Sequence, residues 1–121
     1  MIKTLGLTHL HLMVSDIHRS LKFYKTVFGF EEKFWGGEEI VFINTPGSND
    51  LVALHQAKED QQTGLSGGIT HFGFQLANKE DLDEAIAQVE AAGGKLKKRG
   101  EFMPGLAYAY VSDPDGYEIE L

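Results

Sequence analysis

Two stretches of the chain alternate apolar and polar residues with a period of two. In Thr8-His9-Leu10-His11-Leu12-Met13-Val14, the residues Leu10, Leu12 and Val14 share one face. In Thr70-His71-Phe72-Gly73-Phe74-Gln75-Leu76, the matching positions are Phe72, Phe74 and Leu76, 62 residues later. Strict alternation marks a strand with one buried face. His9 and His71 occupy equivalent places on the opposite face. After each strand the period changes to that of a helix. Ile17, Leu21, Tyr24 and Phe28 form a stripe that Ser15 or Asp16 can cap and Gly29 closes. Leu82, Ala85, Ile86, Val89 and Ala92 form the second stripe, with Asn78 as its cap and Gly93-Gly94 as its end.

Three strand-like stretches follow each helix: residues 31–35, 39–44 and 51–56 in the first half, and 95–102, 106–112 and 117–121 in the second. The last two strands of each half are joined by strong turn sequences, Thr45-Pro46-Gly47-Ser48-Asn49-Asp50 and Asp113-Pro114-Asp115-Gly116. The expectation is an α+β fold of two tandem βαβββ modules, about 1–57 and 68–121, with a polar, Gly-rich linker over 58–67. A unit of this length present twice is no solenoid. Phe23, Tyr24 and Phe28 read as core between helix and sheet, and His18 as surface.

Composition narrows the chemistry. At 121 residues the chain is one domain by size, and with no cysteine it has neither disulfides nor thiolate ligands. Histidine, carboxylate and hydroxyl groups must carry any reaction. Eleven basic against eighteen acidic residues give a net charge of −7, which disfavours nucleic acid and anionic membranes. The basic run Lys95-Leu96-Lys97-Lys98-Arg99 reads as a solvated strand face. No apolar run approaches the roughly 20 residues of a membrane span, and the first residues lack a signal-peptide core, so a cytoplasmic protein is expected.

The opening His9…Leu12…Val14…Asp16, the helix segment Ser20-Leu21-Lys22-Phe23-Tyr24…Gly29, and the closing Asp113-Pro114-Asp115-Gly116-Tyr117-Glu118-Ile119-Glu120 resemble the vicinal oxygen chelate superfamily of glyoxalases, bleomycin-resistance proteins and extradiol dioxygenases. The resemblance covers essentially the whole chain. It implies pseudo-twofold modules whose mixed sheets curve into a cup, a metal at its mouth, and a homodimer in which modules pair within or across chains. Three of the four ligand places are filled here, by His9, His71 and Glu120. The fourth, a glutamate in glyoxalase I, falls near Val52, Ala53 or Leu54, none of which binds metal. His55 lies nearby, on one face with Ala53 and Leu51.

A two-histidine, one-carboxylate set suits one divalent transition metal, Fe, Ni, Mn, Co or Zn, and leaves positions open for a substrate with adjacent oxygens. A lone strand histidine is ordinarily solvent-facing, but repetition at equivalent places together with a complete carboxylate motif favours ligation. Glu120 is also a candidate catalytic group, although Glu118 shares its strand face. His11 is a candidate general base or substrate contact, and His55, Gln75 and Tyr110 are candidate substrate contacts. Tyr108 and Tyr110 face away from Ala109, and one of these alternating sets lines the cup. The function expected is a metal-dependent lyase, isomerase or oxygenase; the alternative is a binding protein that sequesters a small molecule.

Overall fold

The computed structural model describes residues 1–65 and 67–121. They form two compact units, Met1–Gln61 and Gln62–Leu121. The division falls inside the polar stretch 58–67, of which Ser66 lies outside the described residues.

In the first unit the order is β1 (Leu10–Val14), α1 (Ile17–Phe28), β2 (Glu31–Gly36), β3 (Ile40–Asn44) and β4 (Val52–Gln56). The sheet runs β1-β4-β3-β2, with β1 parallel to β4 and the other pairs antiparallel. Alternation decides what is buried: Leu12 and Val14 face the helix and are almost inaccessible, whereas His11 on the other face is exposed. The helix begins at Asp16, whose Oδ1 accepts the backbone N–H of His18 and of Arg19, each at 3.1 Å. Losing such a cap costs about 1 kcal/mol. It ends at Gly29, whose φ of 67° is the left-handed conformation that glycine adopts freely. Ile17, Leu21, Phe23 and Tyr24 are buried against the sheet, each contributing roughly 1.5–3 kcal/mol on leaving water.

The second unit repeats the plan with β5 (Phe72–Gly73), α2 (Leu82–Ala91), β6 (Lys95–Met103), β7 (Leu106–Ser112) and β8 (Glu118–Glu120), in the sheet order β5-β8-β7-β6. Two βαβββ units with mixed sheets are thus present. Ala109, Val111 and Ile119 face α2 through Ile86 and Val89, all buried. The turn before β8 is held by Asp113, whose Oδ1 accepts the N–H of Asp115 and of Tyr117, each at 2.9 Å.

The second unit departs from expectation in two places. Alternation predicts a strand over 70–76, yet only Phe72 and Gly73 pair with β8, and the bond from Phe74 N–H to Glu120 O at 2.9 Å closes the ladder. Asn78 makes no side-chain cap either. A 3₁₀ turn over Lys79–Asp81 precedes α2, and the Asn78 amide donates to Asp81 Oδ2 at 3.3 Å. The acidic residues Asp83 and Glu84 in the first turn of α2 suit the positive end of the helix dipole.

Candidate metal centre

In the second unit β8 lies between β5 and β7, so Glu120 pairs with Gly73 on one side and Tyr110 on the other. His71, two residues before Gly73, shares their face. Its Nε2 stands 3.1 Å from Glu120 Oε2, with both side chains partly open to solvent. Two ligand atoms each about 2.0–2.2 Å from one ion stand about 3–3.5 Å apart, so this pair already has the separation of two ligands. The other ring nitrogen, Nδ1, lies 3.2 Å from Thr70 Oγ1. With Nε2 kept for a ligand, Nδ1 carries the proton and donates to the threonine, which fixes tautomer and ring orientation. Tyr110 packs edge-on against His71, with centroids 4.9 Å apart. Its pKa is raised by desolvation first and then by the Glu120 charge. Gly73 lets β8 run close beside it: a Cβ there would stand 3.1 Å from the carbonyl oxygen of Glu120.

The first unit repeats the threonine–histidine pairing: Thr8 Oγ1 lies 2.8 Å from His9 Nδ1. Its other polar groups differ. His11 Nε2 lies 3.0 Å from His55 Nδ1, across the parallel pair β1–β4. The His11 pKa is lowered by burial first, then by His55 and His9. In register, His11 is opposite Ala53, as Gly73 is opposite Glu120. Leu10 and Phe72 are likewise equivalent, opposite Val52 and Ile119. The first-unit counterpart of Glu120 is therefore Ala53, and His55 stands two residues beyond it.

The model of the Glyoxalase/Bleomycin resistance protein/Dioxygenase superfamily matches residues 6–121. The chain belongs to that superfamily. It is 31% identical to an uncharacterized protein of Pseudomonas aeruginosa, over 94% of this chain and 85% of that one. It is 28% identical to the metallothiol transferase FosB of Staphylococcus epidermidis, over 96% of this chain and 80% of that protein. Among solved structures, the fosfomycin resistance protein FosX of Listeria monocytogenes, complexed as a point variant with Mn(II) and 1S,2S-dihydroxypropylphosphonic acid, has the same fold. Its TM-score is 0.78 at 24% identity, covering 98% of this chain and 90% of that one.

Against this superfamily frame, the candidate residues fall into two groups. His71, Glu120 and Tyr110 come together in the second unit; His11 and His55 touch in the first, with His9 two residues before His11. Gln75 lies past the end of β5, on the wall of an open cavity that Glu120 also lines. Among the described residues, neither unit alone gathers three His, Asp or Glu groups around one point. Thr8 and Thr70 were absent from the expected site, although both stand in the repeated Thr-His sequence that could have pointed to them. The basic run also divides: Arg99 reaches back to Asp83 of α2 at 2.8 Å, while Lys98 pairs with Tyr110. Among the described residues, no helix is long and apolar enough to cross a membrane.

Proposed function

We propose that the chain is a divalent-metal-dependent enzyme acting on a small organic substrate with two adjacent oxygens, with His9, His71 and Glu120 as ligands of one ion. The observation that carries this is the His71 Nε2–Glu120 Oε2 separation of 3.1 Å, with Thr70 holding the far nitrogen. The donor set fits: neutral imidazole and anionic carboxylate suit Mn(II), Fe(II), Ni(II), Co(II) or Zn(II). When bound, such an ion supplies Lewis acidity and open positions for a chelating substrate. Thr8 and Thr70 keep each ring aimed, Tyr110 packs edge-on against the His71 ring, and the His11–His55 pair offers an imidazole nitrogen to a substrate proton.

Ala53 in the position equivalent to Glu120 argues for three ligands rather than the four of glyoxalase I. That favours chemistry needing open positions, namely oxygenase reactions or the thiol transfer named in FosB, over lactoylglutathione formation. The reading extends to a cytoplasmic homodimer whose modules pair within or across chains. The test is a panel on Mn(II)-, Fe(II)- and Ni(II)-loaded protein: O2 uptake with catechols, thiol addition to fosfomycin, and isomerisation of a hemithioacetal. One metal-dependent activity lost in His71→Ala supports the reading. Metal uptake with no turnover in any arm, together with tight binding of an intact small molecule, would replace it with a sequestering protein.

A further inference from the structure

Beside Glu120, the second unit holds an open cavity of about 390 Å³. Its walls are Phe74 and Leu76 from the segment after β5, Phe102 and Leu106 from the β6–β7 hairpin, Tyr108, and Glu120 itself. The volume lies within the roughly 300–1,000 Å³ of small-molecule sites. Phe102 and Tyr108 stack with centroids 4.3 Å apart and present one continuous aromatic wall. Phe102 is 60% and Leu106 47% exposed, so apolar surface faces water around a carboxylate. A contact with a second copy has no need of a carboxylate in its apolar wall. A small molecule whose polar end reaches Glu120 does.

We propose that the substrate carries, beside its pair of chelating oxygens, an apolar arm of the bulk of a phenyl ring or branched alkyl chain, seated against Phe102, Leu106 and Tyr108. This rests on the metal reading above and adds to it the substrate class. Small, wholly polar substrates are disfavoured, because they leave this wall wet. An arm directed from Glu120 across the Phe102–Tyr108 wall removes apolar area from water on both partners.

Calorimetry on Mn(II)-loaded protein with benzohydroxamate and acetohydroxamate, O,O-chelators differing by the ring, tests the arm. The ring should bring roughly 30-fold tighter binding, as expected for taking an aromatic group out of water. Leu106→Asp and Phe102→Ser, both at exposed positions, should cut that preference to about 3-fold while leaving acetohydroxamate affinity unchanged. Equal affinities in the parent protein, or a preference untouched by both substitutions, would overturn the proposal. A metal-free arm separates it from the reading beneath it: benzyl alcohol should shift the NMR resonances of Leu106 and Phe102. Absence of Mn(II) uptake with that shift intact defeats the metal reading and supports the apolar site. Absence of the shift defeats the apolar site.

Discussion

The two units share one frame and distribute size differently across it. In the first, a large polar residue, His11, stands on the opening strand opposite a small one, Ala53, on the closing strand. In the second the sizes are exchanged: Gly73 opens and Glu120 closes. Each unit thus keeps one bulky polar side chain at the same rung, supplied from opposite sides of the ladder. What stays constant is the threonine–histidine pair ahead of the rung, at 2.8 Å in the first unit and 3.2 Å in the second. The repeat conserves the aim of the imidazoles and varies the group beside them, so one rung bears a carboxylate and the other an imidazole.

The strongest way to break this comparison is to remove the group that makes the second rung different. Glu120→Ala should lower Mn(II) affinity by more than the roughly 10- to 100-fold that loss of an outer partner costs, measured by titration with an indicator. Next in size is the exchange itself. Ala53 is fully buried, so Ala53→Glu should cost roughly 1–3 kcal/mol in urea unfolding through overpacking. Adding His11→Gly should restore about 1 kcal/mol or more of it, whereas strictly additive losses would deny that the two positions share one space. Smaller still, Thr70→Val and Thr8→Val should each weaken Mn(II) binding about 10-fold by freeing the ring they hold, with the fold unchanged by circular dichroism.

The smallest effect concerns acid. The folded His11 pKa lies below its ordinary value of 6.5, so the unfolded chain binds more protons in the window beneath 6.5. Stability therefore falls as pH drops through that window and levels off below the folded pKa. His11→Gln should remove that part of the slope, read from urea midpoints across the same pH range.

Much of this was legible from the residues. Alternation around His9 and His71 located both opening strands, and the spacing of the closing Asp-Pro-Asp-Gly motif favoured Glu120, which stands 3.1 Å from His71, over Glu118. The counterpart of Glu120 was not legible. The two loops before the closing strands differ in construction: Thr45 binds Asp50 through backbone N–H and hydroxyl in one, and Asp113 gathers two amides in the other. Counting from the turns therefore left three choices, and only the parallel pairing of β1 with β4 selects Ala53. The same register joins His11 to His55, a contact between residues far apart in the chain. The shortness of β5 was hidden too, because alternation reports which side chains face inward and not how many residues pair with the neighbouring strand.

The central claim is that both repeated histidines and Glu120 serve one ion. The most direct measurement is metal content by elemental analysis after Mn(II) loading and gel filtration, on the parent protein and on His9→Ala, His71→Ala and Glu120→Ala. One ion per chain in the parent and near none in any variant is the predicted result. Full occupancy in either histidine variant, or an empty parent protein, would contradict it.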